Sequence, residues 1–270
     1  MIKNKQLTIG LSIVILIGLL ALFAPFIAPY HPIKDTSFIN SLESPSWDYL
    51  FGTDRMGRDI LSRVIFGTRI ALLIGLVTQT LNTFIGTTLG LIAGFTKGWL
   101  DDAIMGLVNV VLSTPVIVLA LALMVLLGPG LVNIIIALGI VNWAYTCRIA
   151  RSETLSTVEK GFVEAAHASG ASPLRIIFKH ILPAIAGPVL VVATLGAGDA
   201  ILIGASLSFL GVGVQPPQPG WGLMVNQGLD FIWTAPWMTL FPGVAIMILT
   251  LGLNLFGDGL RDQLDPKLEV

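Results

Sequence analysis

Few residues in this chain are placed to do chemistry. His31, His167 and His180 are scattered, and no His-Glu-x-x-His occurs, which disfavours a metalloprotease. Ser206 and Ser208 lie on an apolar run with no Gly-x-Ser-x-Gly turn around them, so they read as helix-packing serines. No Gly-x-x-x-x-Gly-Lys-Ser/Thr phosphate cradle exists, so the chain is not expected to hydrolyse ATP alone. The lone Cys147 excludes an internal disulfide and any CxxC site. Two acids stand apart. Asp199 sits inside an apolar run, where an acid is expensive and tends to face a pore or a partner. It is a candidate pore residue. The competing reading has its helix locally broken by Gly196 and Gly198, with the acid near an interface or bonded to a neighbouring chain. Glu164 begins an Ala-rich stretch and is the candidate for binding another protein.

That stretch is read as helix, sharp turn, helix. Ala165, Ala166 and Ala168 favour a helix, Gly170 stands where a helix end wants glycine, and Ser172-Pro173 restarts one. Small side chains let a short helix seat deeply in a groove, where Glu164 can pair with a basic residue. The alternative is an amphipathic helix resting on a bilayer.

The elements that position these residues follow from charge. Hydrophobic types make up 54% of the 270 residues and charged types 11%, against about 25% charged in an average soluble domain. With a mean hydropathy of +0.87, this rules out a disordered chain and argues against a soluble one. Net charge is −1, so nothing suggests nucleic-acid binding. Gln6–Tyr30, Ile70–Thr96 and Ala103–Cys147 carry no Lys, Arg, Asp or Glu. The third run is too long for one span and turns at Gly128-Pro129-Gly130. Two more runs follow Pro183 and Trp237. The expectation is an all-α polytopic membrane protein, since helices close their own backbone hydrogen bonds in lipid. Its six spans fall at about 7–29, 70–96, 103–127, 131–147, 184–210 and 237–257. The first run is longer than a signal-peptide core and ends in Pro25 and Pro29, so it is expected to be retained.

Lys3, Lys5, Lys97, Arg148, Arg151, Lys160, Arg175, Lys179, Arg261 and Lys267 fall on one side of this layout, and Lys34, Arg55, Arg58, Arg63 and Arg69 on the other. The split places both termini in the cytoplasm. It makes 148–183 a cytoplasmic loop and 31–69 and 211–236 external. Within the first external segment, 57–69 is expected to form a short surface helix. Gly86, Gly90 and Gly94 stand four apart, a spacing that suits close helix packing or a gate.

At these residues the sequence resembles a known family. Glu164-Ala165-Ala166, then Gly170, then Leu182-Pro183 resembles the EAA loop of ABC importer permeases, with His180 where the general pattern has Ile. The block Gly52-Thr53-Asp54-x-x-Gly57-Arg58-Asp59-x-x-Ser62-Arg63 is similar to one in dipeptide, oligopeptide and nickel permeases. So are Leu207-Ser208-Phe209-Leu210-Gly211, with Gln215-Pro216-Pro217 and Trp221-Gly222, and the tail Gly257-Asp258-x-Leu260-Arg261-Asp262-x-Leu264-Asp265-Pro266. The resemblance covers essentially the whole chain. It implies an importer subunit of a bacterial or archaeal cytoplasmic membrane that binds no cofactor. A paralogous permease would complete the pore, two ABC ATPase subunits would hydrolyse ATP, and an extracytoplasmic binding protein would deliver substrate. Glu164, Ala165, Ala166, Gly170, Leu182 and Pro183 would couple to an ATPase. Related chains carry an acid near position 204, where Gly204 stands here. Peptide is the leading substrate and nickel or a nickel chelate the second, the latter from Phe231-Ile232-Trp233-Thr234-x-Pro236 and the Asp-Pro tail. A self-sufficient secondary transporter would instead show inverted repeats and more buried charge.

Overall fold

In lipid a helix must be long enough to cross and must pack without help from the hydrophobic effect, and the elements follow those two demands. The computed structural model describes residues 5–264. It contains helices α1 (Lys5–Ile27), α2 (Ile60–Thr96), α3 (Gly98–Leu112), α4 (Val116–Leu127), α5 (Leu131–Val158), α6 (Gly161–Ala168), α7 (Pro173–Ile176), α8 (Leu182–Phe209), α9 (Trp221–Leu229) and α10 (Trp237–Leu264). A π-helical turn, Ile177–Ile181, joins α7 to α8. Five helices are long and apolar enough to cross a membrane: α1, α2, α5, α7 with α8, and α10. The bent pair α3 and α4 makes a sixth if counted as one span.

Three expectations need correction. The separate surface helix at 57–69 is absent, because α2 runs unbroken from Ile60. Its 37 residues extend about 55 Å at 1.5 Å per residue, well beyond a hydrocarbon core of about 30 Å. The span expected at 103–127 is two helices meeting at 90°. Pro115 disfavours helical geometry at Thr114, so α3 stops and α4 starts afresh. The loops at 148–183 and 211–236 are shorter than expected, since α5 continues to Val158, α7 begins at Pro173 and α9 occupies 221–229.

The bundle is held by small residues. A Cβ built on Gly86 would stand 2.7 Å from the Trp143 carbonyl, one on Gly90 2.6 Å from the Cys147 carbonyl, and one on Gly94 2.8 Å from Thr154 Cβ. The stripe is therefore a backbone-to-backbone seam between α2 and α5. Gly10 and Gly259 do the same for α1 and α10, against Phe256 and Leu7. Ser206 and Ser208 donate to the carbonyls of Leu202 and Gly204 within α8, as packing serines should.

Gly90→Leu should therefore overpack the seam, an effect of about 1–3 kcal/mol or more. Thermal unfolding of the detergent-solubilised protein should show a clear drop. Gly106→Leu, where a Cβ meets nothing within 4 Å, should leave the midpoint nearly unchanged.

Candidate coupling surface and external platform

The Glu164 region is a short helix clamped at the end of the bundle. Val163, fully buried, packs with Leu91 of α2, Ala150 of α5, and Ile176, Ile181, Ile185 and Val189 from Pro173 onward. Ala166 lies against the same cluster, while Glu164, Ala165 and Ala168 point outward and are exposed. Phe162 on α6, Leu174 on α7 and Phe178 on the π-helical turn are likewise exposed apolar side chains. His167 stacks on Phe95, anchoring the far end of α6 to α2.

The turn after α6 is a Schellman motif. The Gly170 N–H donates to the His167 carbonyl at 2.9 Å and the Ala171 N–H to the Ala166 carbonyl at 3.1 Å. Gly170 has φ +78° and open space where a Cβ would be. Backbone conformation alone explains the glycine. Ser172 occupies the N-cap position before Pro173, but its side chain makes no capping bond. Pro183 has no N–H to offer the Lys179 carbonyl, and the chain accommodates this with the π turn just before it, where the Leu182 N–H bonds the Ile177 carbonyl. Leu182 is half-buried against the Val163 cluster and Pro183 is exposed. The structure thus gathers Ala166, Leu182 and Val163 in one packing unit and leaves Glu164 and Ala165 free to face a partner.

Asp199 is elsewhere, on the exposed side of α8. α8 is unbroken there, so the locally broken helix is not observed. Gly196 instead lets α8 close on the Gln79 side chain of α2, and Gly198 faces Asn254 of α10. Asp199 forms no hydrogen bond or ion pair among the described residues.

Sequence reasoning missed the contacts that build two constellations, although the family resemblance implies a folded, charge-balanced region for the 31–69 charges. Arg151 on α5 grips Asp101 on α3 through two bonds of 2.5 Å, and Arg148 donates to Asn109 of α3 at 2.7 Å. This clamp lies just before α6. At the other end, residues 31–59 fold into a platform. Asp54 takes Arg58 Nε at 2.7 Å and lies 3.6 Å from Arg63 Nε, all three buried. Arg63 also donates to the Pro32 carbonyl at 2.9 Å. Asp59 caps α2 by accepting from the Ser62 N–H at 2.7 Å, and the Ser62 hydroxyl accepts the Tyr30 N–H. Gly57, at φ +67°, presses on the Ser37 carbonyl. Trp237 Nε1 donates to the Thr53 carbonyl, joining α10 to the platform, and Trp221 Nε1 to the Val64 carbonyl, joining α9 to the start of α2. The block Gly52–Arg63 is thus one folded unit.

Comparison with known proteins decides the family. The model for the binding-protein-dependent transport system inner membrane component matches residues 86–270, and that for the N-terminal TM domain of oligopeptide transport permease C matches residues 1–45. The chain belongs to the ABC importer inner-membrane permeases. It is 46% identical over 267 residues to the dipeptide transport system permease protein of Alkalihalophilus pseudofirmus, spanning 99% of this chain and 88% of that one. The glutathione transport system permease protein of Pectobacterium atrosepticum is 40% identical, with 99% and 88% covered. The oligopeptide transport system permease protein of Bacillus subtilis is 41% identical, with 98% and 87% covered. An inward-facing structure of the MetNI methionine ABC transporter shares the fold at 21% identity and a TM-score of 0.64, covering 76% of this permease and 98% of that chain.

Removing Asp54 would leave Arg58 and Arg63 buried without their acid, a loss of about 3–5 kcal/mol for a broken buried pair. In Asp54→Ala, limited proteolysis should cut within 31–59 at least tenfold faster than in the unaltered permease, with the helices still protected.

Proposed function

We propose that this permease forms a peptide translocation path together with a paralogous permease, and that α6 seats in one of two ATPase subunits. An extracytoplasmic binding protein delivers the substrate, and both termini are cytoplasmic. The observation that carries the coupling reading is the mounting of α6. Its inner side is locked by Val163 to α2, α5 and α8, and its outer side leaves Glu164, Ala165 and the neighbouring Phe162 exposed. Force applied to such a helix passes directly to three spanning helices. Relatives that carry dipeptides, oligopeptides and glutathione support peptide as the cargo and do not favour nickel. Asp199, exposed on α8 without a partner among the described residues, fits a position facing the paralogous permease or the path between them.

Topology is tested with Gln218→Cys and Ala168→Cys, both exposed positions, in a Cys147→Ser background. An impermeant thiol reagent on intact cells should label the first and spare the second. Coupling is tested with Glu164→Lys and Gly170→Val. A β-branched residue at φ +78° is strained by roughly 1–2 kcal/mol or more, whereas Gly170→Asn tolerates that conformation. Both Glu164→Lys and Gly170→Val should insert normally yet lose at least tenfold in ATP-driven peptide uptake. Gly170→Asn should keep most of it. Normal uptake in both damaging variants would remove α6 as the coupling element.

A further inference from the structure

Along α2, between its two closest helix contacts, runs a buried polar face with nothing to bond. Gly75 and Gln79 lie against α8, and Gly86 lies against α5. Between and beside them stand Thr78, Asn82 and Thr87, with 0%, 0% and 9% of their surface exposed. Neither amide atom of Asn82 and neither threonine hydroxyl has a hydrogen-bond partner among the described residues. The helix itself is not the obstacle. Thr80, Thr88 and Thr96 on its exposed side each donate to the carbonyl four residues back, at 2.7, 2.7 and 2.8 Å. A fully buried amide with no partner is disfavoured, and few such groups persist in native structures without a reason. Here Thr78 and Asn82, one turn apart, lie on one helix face at the depth of the charge-free run, while Thr87 stands about 140° round the helix from Asn82. The neighbouring contact of α2 with α8 is looser than the seam with α5: it runs through the side chains of Gln79 and Ile201, with the Ala197 carbonyl 3.2 Å from a Cβ built on Gly75.

We propose that this face of α2 is sealed in only one of the permease's two arrangements, and that in the other Thr78 and Asn82 line a water-filled path opened by movement of α8 away from α2. The inference rests on the transport reading above. The α2–α5 seam stays closed, because its contacts are between backbones and cannot be loosened by side-chain rotation. The unbonded polar face weakens the sealed arrangement relative to the open one, and so keeps the two close enough in free energy for a partner subunit to switch them.

The test uses the permease copurified with its partner subunits and reconstituted in liposomes. Asn82→Cys, in a Cys147→Ser background, is treated with a small charged thiol reagent without nucleotide and again after ATP with vanadate. Its modification rate should differ at least tenfold between the two conditions. Ala144→Cys, buried and apolar on α5, should stay unreactive in both. Equal, slow modification of Asn82→Cys in both conditions would overturn the proposal. A second arm needs no ATPase. Asn82→Leu should raise the thermal midpoint of the permease by a few degrees, since an unbonded amide is replaced by an apolar group. A lowered midpoint would show that Asn82 is already satisfied when sealed and would also overturn it. Failure of the transport reading is seen separately, as absence of vanadate-sensitive ATP hydrolysis in the complex, and the melting arm then decides the claim alone.

Discussion

At Gly86, Gly90 and Gly94 the backbone of α2 lies on the backbone of α5, and the mechanics of the molecule depend on that seam. Lipid offers no hydrophobic drive for two helices to associate, so affinity comes from close approach. Glycine permits it, and any Cβ at these positions would collide with a carbonyl, an amide or a side-chain carbon. The two helices consequently behave as one body. One end of that body carries the 31–59 platform, through Asp59 at the start of α2. The other leads through the last turns of α5 into α6. Through Val163, α6 packs directly on α2, α5 and α8.

The charges of the 31–69 segment follow the same economy. Arg58 and Arg63 are consumed by Asp54 and the Pro32 carbonyl. Arg69 does something different. Pro25 cannot donate to the Ala21 carbonyl inside α1, and Arg69 Nε reaches that carbonyl at 2.6 Å while its NH2 group reaches Leu22 at 3.1 Å. A proline defect in one span is repaired by a cation from the next. Three of the five cations that run against the charge rule thus have structural partners, and Lys34 and Arg55 remain exposed.

Much of the fold was legible because lipid forbids unpaired charge, so charge-free runs mark helices directly. The turn at Gly128–Gly130 and the glycine stop at Gly170 were legible for a similar reason, since each has a positive φ that side chains resist. What failed had competing signals. The stretch 57–69 was expected as a separate surface helix, because the partners that let α2 carry Arg63 and Arg69, Asp54 and the Ala21 carbonyl, are set by tertiary structure. Pro115 was in plain view, yet an unbroken apolar run from Ala103 hid the bend. Asp101 and Arg151 are 50 residues apart, and no local pattern links them. At the candidate site, the outward face of α6 was readable from the Ala-rich pattern. Its anchor was not, since Val163 gains meaning only when Ile176, Ile181 and Leu91 surround it. The buried threonines and Asn82 looked like ordinary polar residues until the structure showed them without partners.

The account stands on one physical claim, that the outer side of α6 is covered by an ATPase subunit. A photoactivatable cross-linking residue at Ala165, exposed and pointing away from the bundle, reads this directly in membranes that hold the whole transporter. The account predicts one dominant cross-link, to a nucleotide-binding subunit. Cross-linking only to lipid, or to no other protein, while the same probe at Gln218 marks an external partner, would contradict it.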